Sequence, residues 1–206
     1  MARILLDMDG VLCDLAGKWF ALYNKEHHDH IDLAHMPEWG PHLYAKKGKA
    51  IYRYLSRPGF FRDLAPLPGA IDGVNRLLEA GFDVVIVTAA RNGQRDKRLW
   101  VEEHLPFLDT RNLIFAHRKE LIRGDVLFDD APHNLTAFAP YGLAVAMAYP
   151  YNQSYEGHRV HSWTEFLTLM NHLFVCDEAS TDTRQDVRTA RSTSEVIAGS
   201  MKKRSP

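Results

Sequence analysis

The chain has 206 residues, is 46% hydrophobic and 25% charged, and carries a formal net charge of −1. That balance excludes an overall basic field for duplex nucleic acid and a polybasic membrane anchor. The length suits one α/β domain with an inserted accessory piece and is short for two full domains.

In chain order, short apolar runs rich in β-branched residues recur at about residues 3 to 7, 82 to 88, 112 to 116, 124 to 129 and 143 to 148, the pattern of buried parallel strands. Helical patterns lie between them: Ala70 to Ala80 after Pro68 and Gly69, Arg95 to Leu105, and Pro132 to Phe138. Ser162 and Glu165 form a capping-box pattern that opens a last helix, closing the fold near Val175. Alternating strands and helices predict a Rossmann-like, doubly wound parallel sheet.

The stretch from about Leu15 to Pro66 breaks this rhythm. It carries two helical patterns, Ala16 to Lys25 and Lys46 to Leu55, and reads as a small helical cap inserted after the first strand, with Asp14 as the N-cap of its first helix. The expected division is a core of 1–14 and 67–175, a cap of 15–66, and a tail of 176–206. The tail is polar and almost free of aromatics, a composition that predicts disorder. Cys13 and Cys176 form no CxxC pair and no disulfide framework, so a reducing compartment, the cytoplasm, is expected. No run reaches membrane-spanning length, and the apolar stretch after Arg3 breaks at Asp7, too early for a secretory signal.

Four polar signals stand at or just beyond the ends of the strand patterns: Asp7 with Asp9, Thr88, Lys119, and Asp129 with Asp130. Parallel open sheets place ligand sites beyond the carboxyl ends of their strands, so topology alone brings these residues to one cleft. Each has a plainer reading in isolation. Asp7 and Asp9 can end a strand and cap a turn, Thr88 can be a β-branched strand end, Lys119 a helix surface charge, and Asp129 and Asp130 a helix cap before Pro132. It is the combination, in this order, that favours a site.

Asp7-Met8-Asp9-Gly10-Val11, then Thr88, Lys119 and Asp129-Asp130, resemble the four signature motifs of the haloacid-dehalogenase-like (HAD) phosphatases. More narrowly, the 5′(3′)-deoxyribonucleotidases are similar in Asp7 to Asp14, in Pro58 to Gly69, in Leu99-Trp100-Val101-Glu102-Glu103 and in the step from Lys119 to Asp129. The likeness spans about residues 3 to 135. It implies a phosphomonoesterase of nucleoside monophosphates, deoxypyrimidine ones foremost, with the 5′ or 3′ position left open. Asp7 is then the nucleophile that becomes an aspartyl-phosphate, and Asp9 the acid and base. Mg²⁺ is the implied cofactor, held by Asp7, the Asp9 carbonyl, and Asp129 or Asp130. Lys119 supplies a second positive charge, and Thr88 binds a phosphate oxygen, helped by the amides of Ala89 and Ala90. The family often carries a hydroxyl where Ala89 stands.

The resemblance also assigns substrate choice to the cap, with an aromatic wall at Phe60 and Phe61 and with Leu15 beside the catalytic turn, where the family often has an aromatic residue. Most cap aromatics are expected to be its core. His27, His28, His30 and His35 fit no zinc spacing and read as a solvated loop. Lys97 and Arg98, with Arg91 and Arg95, read as a charged helix face. Two rivals stand beside this reading: a phosphatase of another metabolite such as a sugar phosphate, and a receiver-like phospho-acceptor module. The order of the motifs and the base at Asp9 argue against the module. Expected partners are a small phosphomonoester, no duplex nucleic acid and no membrane, with oligomeric state open and a homodimer among the options.

Overall fold

A computed structural model describes residues 1–175; the expectation of a disordered 176–206 tail lies outside the described residues. The described residues divide into two units, 1–165 and 166–175. In the first, six strands form one sheet: β1 (Arg3–Leu6), β2 (Asp83–Thr88), β3 (Leu113–Phe115), β4 (Val126–Asp129), β5 (Leu143–Met147) and β6 (His158–Val160). Their order is β3-β2-β1-β4-β5-β6, and every pairing is parallel.

Helices α1 (Leu15–His27), α2 (Ala70–Glu79), α3 (Gln94–His104), α4 (Pro132–Phe138) and α5 (Trp163–Met170) complete the fold. Alternate strand residues fall on opposite faces of a sheet. Here Leu5, Val85, Val87, Leu127, Ala144 and Ala146 share a cluster with Leu135 and Phe138 of α4. Their neighbours Ile4, Leu6, Val84, Ile86, Phe128 and Val145 are buried as well. Burial on both faces explains why the strands read as continuous apolar runs rather than alternating ones. On the α2 side, Trp163 lies so close that a Cβ on Gly73 would sit 2.2 Å from its Cε3. The Trp163 indole donates to Val11 O at 2.8 Å, tying this side chain to the turn after β1.

Between β1 and α2, residues 15–66 carry α1 and three 3-10 segments, Leu33–His35, Pro41–Leu43 and Gly48–Ser56. Asp14 caps α1 by accepting from Gly17 N at 2.8 Å. The pattern from Lys46 to Leu55 forms the 3-10 segment Gly48–Ser56 rather than an α-helix. Gly48 opens it at φ 51, no side chain caps it, and its 9 residues make it a long 3-10 run. The capping box at Ser162 is half formed: its hydroxyl accepts from Glu165 N at 3.2 Å, while Glu165 accepts from His161 N at 2.7 Å.

The second unit continues α5 from Phe166 and ends the described residues in a π-helical turn, Asn171–Val175. Among the described residues, no helix is long and apolar enough to cross a membrane.

Candidate active site

The carboxyl ends of β1, β2 and β4 meet at the centre of the sheet, where the strand order changes direction. Asp7 follows β1 and is fixed there by its backbone N–H, which donates to Phe128 O at 2.9 Å. Lys119, which opens a 3-10 turn after β3, reaches inward between two acids, 2.6 Å from Asp7 Oδ1 and 2.5 Å from Asp129 Oδ2. Thr88 ends β2 and is fully buried. Topology thus brings Asp7, Thr88, Lys119, Asp129 and Asp130 to one end of the sheet.

Lys97 completes the arrangement in a way the charged-helix reading misses. Its neighbours Arg91, Arg95 and Arg98 are exposed, whereas Lys97 is fully buried. Its ammonium donates to Asp9 Oδ2 at 2.5 Å, Thr88 Oγ1 at 2.7 Å and Ala89 O at 3.1 Å. The signal was present: Lys97 precedes the buried Trp100 and Val101 by three and four residues, the spacing of one helix face. Two ammonium groups therefore interleave with the acids, Lys97 at Asp9 and Lys119 at Asp7 and Asp129.

Burial dominates the electrostatics. It pushes Asp7 from 3.8 up to about 7; Lys119 opposes the rise, and the like charges of Asp129 and Asp9 reinforce it. Burial also carries Asp130 well above the usual carboxylate range, with Asp129 and Asp7 adding to the rise. For Lys119 burial works against the ammonium, but Asp129 and Asp7 outweigh it and its net shift is upward. Such a concentration of buried acids marks a site rather than a fold element.

Carboxylate oxygens of Asp7, Asp129 and Asp130 all lie within 4.8 Å of one another. An all-oxygen set of this size suits a hard divalent ion, whose opposite ligands stand about 4 Å apart at Mg²⁺ bond lengths. The two consecutive aspartates differ in openness. Both oxygens of Asp129 are engaged, by Lys119, by Ala131 N at 2.8 Å, and by Asn134 Nδ2 at 3.2 and 3.1 Å. Asp130 lines the cleft and accepts from the Tyr151 hydroxyl through Oδ2. It packs over Gly10, where a Cβ would meet Oδ2 at 2.7 Å.

Above these groups opens a cavity of about 270 Å³, floored by Asp7, Asp9, Lys119 and Asp130 and walled by Trp19, Trp39, Tyr52, Tyr149 and Tyr151. A second, of about 590 Å³, shares Asp9, Leu15, Tyr52, Leu55 and Ala89 with it and extends past Phe61 to Arg91 and His117. Leu15, Phe61 and Ala89 therefore line the cleft. Phe60 lines neither cavity; Lys18 covers its ring at 4.9 Å and donates to its carbonyl at 2.6 Å. Trp39, one of the cap aromatics, lines the cleft as a base-stacking candidate would, whereas Tyr149, Tyr151 and Asn134 are site residues that the sequence patterns do not point to. The histidines form no metal group among the described residues; His27 packs on Tyr23 at 4.8 Å and His35 pairs with Asp32 at 3.3 Å.

Comparison with known proteins gives the following. Residues 1–175 match the family described as 5′ nucleotidase, deoxy (pyrimidine), cytosolic type C protein. A 5′(3′)-deoxyribonucleotidase of Clostridium acetobutylicum is 35% identical over 136 residues, 65% of this chain and 75% of that protein. One from Bacillus subtilis is 30% identical over 166 residues, 79% of this chain and 94% of that protein. In fold, the chain resembles a HAD family hydrolase of Deinococcus radiodurans solved with phosphate and sodium, with TM-score 0.55 and 14% identity over 84% of this chain and 96% of that one.

Proposed function

Because the chain belongs to the 5′ nucleotidase, deoxy (pyrimidine), cytosolic type C family, we propose that it hydrolyses nucleoside monophosphates, deoxypyrimidine ones among them, with Mg²⁺ and through phospho-Asp7. The observation that carries this reading is Lys119, held 2.6 Å from Asp7 and 2.5 Å from Asp129. A carboxylate approaching a phosphate meets repulsion of about 4 kcal/mol per charge pair at 4 Å and an effective dielectric of 20. Lys119 offsets part of that cost at the nucleophile itself. A bound divalent ion would neutralise further phosphate charge and orient one oxygen.

Asp7, the Asp9 carbonyl and Asp130 are the proposed ion ligands, because Asp130 is the open member of its pair; Asp129 positions Lys119. Asp7 attacks phosphorus and the leaving alkoxide takes a proton from Asp9. Asp9 then withdraws a proton from the water that cleaves the acyl phosphate, restoring Asp7. Lys97 grips Asp9 Oδ2, while Oδ1, which accepts a long bond from Cys13 Sγ at 3.8 Å, exchanges the proton. The Thr88 hydroxyl, accepting from Lys97, has its own proton to give to a phosphate oxygen.

Residues 15–66 act in this reading as the cap over a core of 1–14 and 67–175, and supply the apolar walls for the nucleoside. Trp19, Trp39, Tyr52 and Phe61 offer faces on which a base stacks, worth about 1–3 kcal/mol per base. Such walls suit a base better than a bare sugar. The cytoplasm is the proposed compartment.

A phosphate-release panel tests the reading. With Mg²⁺, the expected order places dUMP, dTMP and dCMP above hexose and pentose phosphates in kcat/KM, with turnover lost in excess chelator. Faster hydrolysis of a sugar phosphate would overturn the nucleotidase assignment.

A further inference from the structure

Beyond the reaction groups, a run of residues after β5 grips both sides of the acidic cluster. Tyr149 and Tyr151 stack with ring centroids 5.3 Å apart and planes at 11°. The Tyr149 hydroxyl donates to Gly10 O at 2.9 Å, on the turn after Asp9. The Tyr151 hydroxyl donates to Asp130 Oδ2, and Asn152 Nδ2 donates to Asp130 O at 2.8 Å and Met147 O at 2.7 Å. Arg159 steadies the run through Asn152 Oδ1 at 3.2 Å and Tyr149 O at 3.3 Å. Asp130 is thus held by its side chain and its backbone at once.

The 15–66 segment reaches this brace through Trp39. Trp39, half exposed, meets the Tyr151 ring edge-on at 4.8 Å and 74°, and His133 of α4 at 5.8 Å. Edge-to-face pairs are directional, so the angle of Tyr151 and the seat of Trp39 constrain each other.

We propose that Tyr151 is a positioning residue for Asp130, and that Trp39, through Tyr151, makes divalent-ion binding and the docking of the 15–66 segment mutually dependent. The inference rests on Asp130 as an ion ligand, as proposed above. Groups that orient ligating carboxylates typically contribute 10- to 100-fold in metal affinity. Linkage is reciprocal: if a seated Trp39 favours the ion, the ion favours a seated Trp39 by the same factor.

Calorimetric titration of the full chain with MgCl₂, without substrate, tests this. Tyr151→Phe keeps the ring and deletes the hydroxyl; it is expected to raise the Mg²⁺ Kd about 10- to 100-fold, with kcat recovering at saturating Mg²⁺. Trp39→Ala is expected to raise Kd about fivefold or more. Mg²⁺ is expected to slow acrylamide quenching of the signal that Trp39→Phe removes, and Tyr151→Phe is expected to abolish that protection. Wild-type Mg²⁺ affinity in Tyr151→Phe overturns this inference alone. A wild-type chain that binds no Mg²⁺ overturns the ion reading and this inference with it. Should Tyr151→Phe fail to fold, Trp39→Ala decides, an unchanged Kd counting against the proposal.

Discussion

The Lys97 ammonium lies 2.5 Å from Asp9 Oδ2 with its side chain wholly buried, while Asp9 keeps 23% of its side chain open to the cleft. Asp9 is therefore anchored through one oxygen while part of its side chain stays open to the cleft, the arrangement a proton donor needs. Lys97→Met is expected to lower kcat on the order of 10²-fold or more, as loss of a preorganised polar contact does. The unpaired Asp9 should also cost about 1–3 kcal/mol of stability. Steady-state kinetics with a melting curve check both; wild-type kcat in a folded variant would reduce Lys97 to a structural contact.

Asp129 and Asp130 are adjacent in sequence and differ in surroundings, so their amide variants should separate. Asp130→Asn is expected to weaken Mg²⁺ binding with a modest change in melting. Asp129→Asn removes the carboxylate charge that faces Lys119 at 2.5 Å but leaves Lys119 paired with Asp7 at 2.6 Å, and is expected to cost about 1–3 kcal/mol, the penalty for a weakened buried polar contact. Titration calorimetry and thermal melts of the two variants decide the assignment, and the reverse pattern would exchange their roles.

Stability without a metal ion should fall as pH rises. Burial holds the Asp7 proton up to about 7, whereas an unfolded chain releases it near 3.8. Across that window the folded state binds more protons, so unfolding free energy declines with pH. Asp130 shifts in the same direction and adds to the decline. Acids held low, such as Asp63 by Lys18 and Asp109 by Arg111, complete their contribution near and below 3.8. In chelator, Tm is expected to drop toward pH 7, with a shallower slope in Asp7→Asn; a Tm that rises across the window would contradict the picture.

Gly10 combines φ +79 with the close approach of Asp130 Oδ2, which lies 2.7 Å from where a Cβ would stand. Gly10→Ala therefore meets backbone strain of about 1–3 kcal/mol and displaces Asp130. The expected result is a lower Tm together with weaker Mg²⁺ binding; loss of the first without the second would separate the turn from the ion site.

How much of this was legible in the sequence follows from what each residue type declares. β1, β2, β4 and β5 stood out because burial on both faces makes them continuous apolar runs, and the part-buried edge strand β3 stood out by its apolar residues Leu113, Ile114 and Phe115. β6 did not, because His158–Val160 is three residues long at the sheet edge with His158 exposed. Asp7, Thr88, Lys119, Asp129 and Asp130 could be gathered from strand ends alone. Lys97 could not be gathered that way: it stands in the charged run Gln94 to Arg98, and its inward direction depends on helix phase. Phe60 and Phe61 are consecutive aromatics whose rings meet edge-on at 5.3 Å and 81°, and only the three-dimensional path of the segment decides that Phe61 reaches the cleft. Tyr151 acts on Asp130 across the β5 connection, a tertiary contact with no local signature.

The most direct measurement is rapid acid quenching of the enzyme during turnover of dUMP with Mg²⁺, followed by mass spectrometry of its peptides. The account predicts a phosphoryl group on the peptide that contains Asp7, absent in Asp7→Asn. Steady turnover with no phosphorylated peptide, or with the group on another residue, would contradict it.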